Sequence, residues 1–437
     1  MVIGKKIGVI SLGCDKNRVD TEKMLSILST RHEIVSDIEL AQIVVVNTCA
    51  FLESSRREAI DEILSVATLK ESGLEKIIVT GCLPQKFLSE IADGLPEVDA
   101  FTGVSDYAEM NDIIDRLYAG ERVLAVGEPR GECGVNRVRT TDNYAYLKIA
   151  DGCSNHCTYC LIPKIRGKFR SVKVEDLLKE VSLLGEVKEL VLVAQDLTKY
   201  GVDLEPKTNL AQLIREISKQ EKVKKIRLLY CYPEGITDEL IDEIASNDKV
   251  IKYIDIPFQH ASDRVLKLMN RKGTGAGYLE LIAKLKQKVK GIAIRSTFIT
   301  GFPTESEEDF NVLLEFLTKA KLFNAGFFAY SREEGTPAYK LDGQVKSADK
   351  NKRLKKLYSV QKKVVKENLK TLVGQTVEVM PEGFDDGGFV YYGRAYFNAP
   401  DIDGKVYFFS DEEVVNGENI LVKIVKVDGY DLYGERL

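Results

Sequence analysis

The residues best suited to chemistry are three cysteines of the segment DGCSNHCTYC, Cys153, Cys157 and Cys160, called here the central trio. Three thiolates within eight residues can hold three irons of a four-iron cluster and leave the fourth iron open to another ligand. Zinc is the competing interpretation, but structural zinc sites usually show two spaced ligand pairs, and no second pair follows in the sequence. His156 directly precedes Cys157, and we interpret it as a loop residue rather than a ligand.

A second set, the upstream trio, is spread over the first hundred residues. Cys14, Cys49 and Cys82 each end, or lie just beyond, a run rich in Val and Ile, and their separations are 35 and 33 residues. Because parallel strands end at one edge of a sheet, where open α/β sheets bind ligands, we expect these thiols to converge on a metal. The alternative is three small buried apolar side chains, which free cysteine often provides.

The two other cysteines lack such a pattern. We interpret Cys133 as an incidental thiol in a loop and Cys231 as a core residue of a strand. The start of the chain resembles a leader only faintly and is interpreted as a first β-strand. We therefore expect the cytoplasm, where thiols stay reduced, and the lack of an apolar run near ~18 residues excludes a conventional membrane span.

The order of strand and helix patterns around these cysteines predicts an α/β protein with a small all-β C-terminal domain. In residues 1–130 strands alternate with helices, which predicts a parallel α/β domain, and 131–143 read as a linker. Residues 144–346 hold six further strand candidates separated by helices, too few for a full barrel, so we expect a partial (β/α)6 barrel. One long helix, 347–370, leads to a β-rich region, 371–437, that predicts an antiparallel β-barrel.

Charge is distributed unevenly over the 437 residues, whose formal net charge is −5. Residues 371–437 hold 13 acidic and 5 basic residues, whereas 347–370 hold 9 basic and 2 acidic residues. RNA-binding modules attract phosphate with Lys and Arg, so the acidic terminal region favours a basic protein partner. The basic helix is either a solvated packing element or a surface that meets phosphate.

The motif CxxxCxxC with an aromatic residue, Tyr159, before the last cysteine resembles the signature of radical S-adenosylmethionine (SAM) enzymes. Together with the upstream trio, the partial barrel and the terminal β-module, the chain resembles the methylthiotransferases over essentially its whole length. The segment SLGCDKNRVDTE, with CLIPKIRGKFRS, QDLTKYG and PFQHASD, is similar to the protein-modifying branch, the RimO family. The tRNA-modifying branches tend to GCQMN or GCKVN at the first of these segments.

The resemblance implies two 4Fe–4S clusters, one on each trio, and SAM bound at the open iron of the central one. It implies that the terminal module is a TRAM domain that recognises substrate. The RimO branch adds a methylthio group to the β-carbon of an aspartate in the small-subunit ribosomal protein S-twelve. No catalytic side chain is expected, because the radical chemistry belongs to the cofactors.

Weaker matches concern the contacts to SAM. Gln195 and Asp196 follow a barrel strand, Gly301 lies in ITGFPTESEEDF before a helix, and Arg295 lies in a strand. The alternatives are a turn for QDLTKYG and an acidic helix cap for GFPTESEED. His260 either hydrogen-bonds at a helix entry or lies in the cavity. The residues predicted to contact SAM are Tyr159, Gln195, Asp196, Arg295 and Gly301.

Two other functions stay open at this point. One is the same chemistry on an adenosine of tRNA, and the other is a noncatalytic iron–sulfur or zinc scaffold with a ribosome-docking module. The leading interpretation requires ribosomal protein S-twelve, free or in the small subunit, together with an electron donor and a sulfur donor. We expect no membrane partner and a monomer.

Overall fold

The computed structural model describes residues 1–130 and 136–437. Cys133 therefore lies outside the described residues. Two parallel sheets covered by helices, one long helix and a closed β-barrel follow one another along the chain. No helix within the described ranges is long and apolar enough to cross a membrane.

The first sheet has six parallel strands. Its strands are β1 (Lys6–Ser11), β2 (Glu33–Ile34), β3 (Ile43–Thr48), β4 (Lys76–Gly81), β5 (Ala100–Thr102) and β6 (Val123–Ala125), and its helices are α1 (Asp15–Leu28), α2 (Glu53–Thr68), α3 (Cys82–Ile91) and α4 (Met110–Tyr118). The spatial order is β2-β1-β3-β4-β5-β6, so β1, β3 and β4 are neighbours. The Val and Ile residues of β3 and β4 are buried because helices cover both faces, whereas Val9 and Ile10 of β1 are partly buried. The sequence predicts β1, β3 and β4 and misses the others, which are only two or three residues long.

The second sheet is an open barrel of the six parallel strands that the sequence predicts. Its strands, with a short β8·β9 ribbon, are β7 (Tyr144–Lys148), β8 (Ala150–Asp151), β9 (Arg170–Ser171), β10 (Val187–Val193), β11 (Val223–Leu228), β12 (Val250–Asp255), β13 (Ala293–Thr300) and β14 (Asn324–Ala329). Its helices are α5 (Ile162–Ile165), α6 (Val174–Leu183), α7 (Leu210–Ser218), α8 (Asp238–Ser246), α9 (Asp263–Leu268), α10 (Gly275–Lys288) and α11 (Glu307–Ala320). β7 and β14 are its two edges, and α1 of the first domain packs against β7.

The long helix α12 (Ser347–Lys370) packs along the other edge strand, β14. Its side chains bind main-chain carbonyls along and beside that strand. Tyr358 Oη donates to Phe327 O at 3.1 Å, and Asn368 Nδ2 donates to Leu322 O at 3.0 Å. Exposed strand edges pair readily with other chains, so α1 and α12 protect the two flanks of the barrel.

The terminal β-barrel packs against the inner face of the open barrel. Its strands are β15 (Thr376–Asp385), β16 (Val390–Arg394), β17 (Val406–Phe409), β18 (Ile420–Asp428) and β19 (Asp431–Arg436). Alternate residues of the barrel strands, such as Val191 and Tyr253, form one apolar cluster with Phe397 and Phe408 of the terminal region. The strand order is β15-β16-β17-β19-β18, and four pairs are antiparallel as predicted.

One pairing departs from the expected antiparallel barrel, because β17 and β19 are parallel. β19 is not predicted from the sequence, because its segment DLYGER carries too few apolar residues to stand out as a strand. β19 pairs with β18 through a tight turn and then closes the barrel against β17.

Candidate active site

The upstream trio lies at the carboxyl edge of the first sheet. Cys14 follows β1 and precedes α1, Cys49 follows β3, and Cys82 is the first residue of α3 after β4. The three thiols are close enough to interact electrostatically with one another. Gly13 makes this approach possible, because a Cβ at that position would lie 2.6 Å from the Cβ of Cys49. The fold therefore gathers at one edge cysteines that are far apart in sequence.

A buried arginine reaches this trio. Arg166 Nη2 lies 3.8 Å from the Sγ of Cys82. Burial raises the pKa of the Cys82 thiol to about 12, and the Arg166 guanidinium opposes that shift. Burial also raises the pKa of Cys49. Metals bind the thiolate, so a positive charge at this position favours the ligating form.

The central trio lies in the loop between β8 and α5, at the carboxyl side of β7. The N–H of Cys153 donates to Gly167 O at 3.1 Å, and the N–H of Ile162 donates to the Sγ of Cys160 at 3.4 Å. Gly152 has φ +75, and a Cβ there would lie 2.2 Å from Lys168 O. Glycine is thus required where the loop leaves the strand. Burial raises the pKa of Cys160.

A second buried arginine stands beside the central trio. Arg271 Nη1 lies 4.0 Å from the Sγ of Cys157, and its guanidinium lies 3.8 Å from the ring centroid of Tyr232. Burial, and then the neighbouring Cys157, raises the pKa of Tyr159. The ring of Tyr159 packs against an apolar cluster that includes Phe302. Each trio therefore combines thiols with one buried cation.

The spacing of the thiols bears on the choice of metal. In the part of the chain that the structure describes, no three His, Cys, Asp or Glu side chains are arranged to hold a single metal ion. One zinc ion with tetrahedral thiolates requires sulfur atoms about 3.8 Å apart, given Zn–S bonds of about 2.3 Å. In an iron–sulfur cluster each thiolate binds a different iron, so the sulfurs stand further apart. By donor chemistry, three thiolates can each bind a different iron of a cluster and leave one iron open.

Arg166 also joins the two sites. It follows α5, close after Cys160, and donates to Asp20 Oδ2 at 2.8 Å, Asp151 Oδ2 at 3.2 Å and Asn17 Oδ1 at 2.7 Å. Asn17 and Asp20 belong to α1 of the first domain, whereas Asp151 belongs to β8 of the second. These buried contacts hold the two sheet edges face to face. Sequence reasoning missed this role, because a lone arginine carries no periodic or spacing signal.

A buried lysine lies close to the upstream trio, where the two domains meet. Lys16, in α1, is only 7% exposed, and its Nζ lies 3.2 Å from the ring centroid of Tyr230 and 3.1 Å from Asp15 Oδ1. The hydroxyl of Tyr230 donates to the same Asp15 oxygen at 3.2 Å. Tyr230 follows β11, so the two domains meet at this cluster. Burial, and then Asp15, raises the pKa of Tyr230, which stays protonated as a donor.

Two of the residues predicted to contact SAM position the loop of the central trio. Asp196 is buried and accepts from Asn155 Nδ2 at 2.7 Å and from Thr198 Oγ1 at 2.6 Å. Asn155 belongs to that loop, so Asp196 anchors it. Gln195 Nε2 donates to Asp151 Oδ1 at 2.8 Å, and its Oε1 is buried without a hydrogen-bond partner among the described residues.

The other predicted contacts lie further along the sheet edge. Arg295 Nη1 donates to Asp255 Oδ1 at 2.9 Å, and its Nε lies 3.5 Å from Asp403 Oδ1 of the terminal barrel. A carboxylate ligand would compete with both aspartates for Arg295. Gly301 follows β13, and its N–H donates to Glu305 Oε2 at 2.6 Å. Contact of these residues with SAM stays a prediction.

The remaining candidates, His260, Cys231 and His156, lie in the barrel core, at a helix entry or in an exposed loop. His260 is buried, and its Nδ1 accepts from the N–H of Ser262 at 2.9 Å, which is the helix-entry role. Burial lowers the pKa of His260 to about 3. Cys231 belongs to the barrel core, as predicted, but it lies three residues beyond the end of β11 rather than inside a strand. His156 is an exposed loop residue with φ 53.

An open six-stranded parallel barrel with CxxxCxxC at its carboxyl edge defines a radical SAM protein, here joined to a second cysteine-bearing domain. The sequence profile of the radical SAM superfamily matches residues 147–317. The profile of the uncharacterized protein family UPF0004 matches residues 6–103, and that of the TRAM domain matches residues 373–437. The three profiles fall on the three folded regions in order.

Full-length relatives give the particular family. The chain is 46% identical to the ribosomal protein uS12 methylthiotransferase RimO of Acetivibrio thermocellus, over 99% of this chain and 98% of that protein. It is 47% identical to the protein of the same name from Clostridium botulinum, over 98% of this chain and 97% of that protein. The chain belongs to the RimO family of methylthiotransferases.

Solved structures share the fold at low sequence identity. The radical SAM methyltransferase TsrM from Kitasatospora setae superposes with a TM-score of 0.57 at 14% identity, over 77% of each chain. The cobalamin-dependent radical SAM enzyme OxsB superposes with a TM-score of 0.53 at 14% identity, over 82% of this chain and 58% of that one. These similarities support the radical SAM fold.

Proposed function

We propose that this protein transfers a methylthio group to the β-carbon of an aspartate in the small-subunit ribosomal protein S-twelve. The reaction uses SAM and two 4Fe–4S clusters. The observation that carries the proposal is the pair of cysteine trios at facing sheet edges, held together through Arg166. The names of the full-length relatives support the same substrate.

The donor sets suit the two clusters. The central trio would hold the cluster that binds SAM, and the upstream trio would hold the second cluster. Each set is one thiolate short of the usual four, which leaves one iron for a ligand from outside the protein. When bound, these groups supply the cleavage of SAM and the sulfur chemistry, which no side chain provides.

The protein's own residues stabilise the charge and geometry of each site. Arg166 and Arg271 place a guanidinium beside the Sγ of Cys82 and Cys157 respectively, which offsets the repulsion among gathered thiolates. Asp196 fixes the loop of the central trio through Asn155. The apolar cluster around Tyr159 excludes water from one side of that loop. A fixed, water-poor site favours one productive geometry for the substrate.

Lys16 is well placed to bind the carboxylate of the target aspartate. It is buried two residues after Cys14 of the upstream trio, and Asp15 is its ion-pair partner in the chain as described. A substrate aspartate presents a carboxylate one bond from the β-carbon that is modified, and an ammonium group pairs strongly with a carboxylate away from water. An adenosine of tRNA offers no such group, which favours the protein substrate.

The remaining partners follow from this chemistry. We propose an external electron donor and a sulfur donor, a cytoplasmic location and a monomer. The cysteines within the described ranges are free thiols, which suits a reducing compartment. Each trio is complete within one chain, so a second copy is not needed to build either site. The acidic terminal barrel suits a basic ribosomal protein.

Mass spectrometry of a deletion strain tests the substrate. We expect ribosomal protein S-twelve to lose the mass of the methylthio group and regain it on complementation, while methylthiolated adenosines of tRNA stay at their normal level. A missing tRNA modification with normal ribosomal protein would favour the tRNA alternative.

Anaerobic reconstitution tests the scaffold alternative. We expect iron and sulfide in amounts that correspond to two four-iron clusters, and 5′-deoxyadenosine after reduction in the presence of SAM. Zinc without iron and sulfide, or intact SAM after reduction, would indicate a noncatalytic scaffold.

A further inference from the structure

The exposed face of α12 carries a row of lysines that the fold does not use. Two basic residues of this helix have structural partners: Lys350 Nζ donates to Tyr330 O at 2.7 Å, and Arg353 Nη1 binds Glu305 Oε1 at 2.9 Å. The other seven are exposed and have no ion pair, hydrogen bond or aromatic partner within the described chain. These residues, called the lysine row, are Lys352, Lys355, Lys356, Lys362, Lys363, Lys366 and Lys370.

The lysine row occupies one side of the helix. Its members recur at spacings of three, four or seven residues, whereas buried residues such as Leu357, Val364 and Leu369 line the opposite side. From Lys352 to Lys370 the row spans about 27 Å at a rise of about 1.5 Å per residue. Like charges at this spacing disfavour the helix, so the row has no role in stabilising it.

The row runs from the candidate active site to the terminal barrel. At its start, α12 touches the carboxyl edge of the open barrel, where a Cβ on Gly301 would lie 2.4 Å from Lys350 Cγ. At its end, Leu369 joins the apolar cluster of the terminal barrel. A partner bound along the row would therefore extend from the carboxyl edge of the open barrel, near Gly301, to the terminal barrel.

We propose that the lysine row binds phosphates of structured RNA in the small ribosomal subunit, so that the assembled subunit is a better substrate than free ribosomal protein S-twelve. This inference rests on the proposed function. A row of unpaired lysines attracts phosphate without reading base sequence, because ammonium groups are point charges and the gain comes from counterion release. The neighbouring acidic barrel repels RNA, which confines the contact to α12.

Removal of charge from the row tests the proposal. The variant K355Q/K356Q/K362Q/K363Q keeps good helix formers on an exposed face. The matched control, K179Q/K207Q/K222Q/K290Q, removes the same charge from exposed lysines elsewhere that have no side-chain partner among the described residues. Filter binding to purified small subunits and to naked small-subunit RNA is measured over a series of salt concentrations.

We expect the row variant to bind small subunits and naked small-subunit RNA more weakly than the unmodified protein does. Its slope of log affinity against log salt should become shallower by about one for each lysine that contacts phosphate. The KM for methylthiolation of assembled subunits should rise by at least tenfold, while the KM for a free S-twelve peptide stays unchanged. The control variant should match the unmodified protein in every assay.

Equal weakening of binding in the control variant would overturn the proposal, and so would unchanged binding of the row variant to subunits. It would also be overturned if the row variant lost subunit binding although the unmodified protein had no affinity for naked RNA. The last result would point to an acidic protein instead. Activity of the unmodified enzyme on the free peptide tests the proposed function separately, since that activity does not depend on the row.

Discussion

The two cysteine trios are built in opposite ways. The central trio comes from one loop, whereas the upstream trio comes from three separate strand ends at separations of 35 and 33 residues. A loop assembles its ligands by local backbone geometry, but three strand ends converge only when β1, β3 and β4 pair in the correct order. The upstream site therefore depends on correct pairing of the strands, whereas the central site depends on the conformation of one loop.

The strongest test of separate roles is the loss of a central thiol. Replacement of Cys157 by alanine should abolish formation of 5′-deoxyadenosine from SAM, because no other side chain replaces its thiolate on the cluster. Chromatography of anaerobic, reduced reactions measures this product. The matched control is Cys231→Ala, a core thiol outside both trios, which should retain cleavage.

Loss of an upstream thiol should separate the two reactions. Cys49→Ala should still form 5′-deoxyadenosine but yield no methylthiolated peptide, because the second cluster is missing while the SAM site is intact. The two products are counted in the same reaction by chromatography and mass spectrometry. Equal loss of SAM cleavage in Cys49→Ala and Cys157→Ala would contradict two separate cluster roles.

Loss of Arg166, which joins the two sites, should destabilise the protein. Arg166→Met removes a buried cation from Asp20 and Asp151 and should lower the free energy of unfolding by about 3 kcal/mol, the cost of an uncompensated buried charge. Urea denaturation of the anaerobic protein measures this free energy of unfolding. Arg116→Met, which removes an exposed pair with Glu121, should leave stability nearly unchanged.

Loss of Lys16, the buried lysine close to the upstream trio, should weaken substrate binding. Lys16→Met should raise the KM for an S-twelve peptide by about ten- to a hundredfold, the value of one charge-assisted hydrogen bond. Fluorescence anisotropy with the aspartate peptide and its asparagine variant gives a readout independent of turnover. We expect the unmodified enzyme to prefer aspartate and Lys16→Met to lose that preference; a preserved preference would reject this role.

The smallest expected effect is on pH dependence. His260 has a folded-state pKa of about 3, whereas the usual value is 6.5, so the unfolded chain binds more protons between these values. Its contribution to stability is complete above pH 6.5 and is lost as the pH falls through this window. Urea denaturation at pH 7 and pH 5 should show a smaller difference for His260→Gln than for the unmodified protein.

The sequence predicts the parts of this molecule that depend on local patterns. Val- and Ile-rich runs predicted three strands of the first sheet, and apolar or aromatic runs predicted all six strands of the open barrel, because most of these residues pack into the core. The loop of the central trio was visible from spacing alone. Short strands such as β2 and β6 were missed, since two or three residues show no periodicity.

The contacts between domains were not predictable in this way. The segment DKNRVDTEK is rich in charged residues, yet Lys16, Asp20 and Lys23 are buried between the first sheet and the open barrel. Their charges are balanced by residues far along the chain, such as Arg166 for Asp20 and Glu180 for Lys23. Single-sequence patterns contain no information on such long-range pairs.

The protection of the barrel flanks has a consequence for dissecting the molecule. β7 is shielded by α1 and β14 by α12, and these helices come from either side of the barrel in sequence. A fragment of residues 144–346 would expose both strands at once and tend to aggregate by edge-to-edge pairing. The SAM-binding region is thus not a separable module, and truncation studies need to keep both flanking helices.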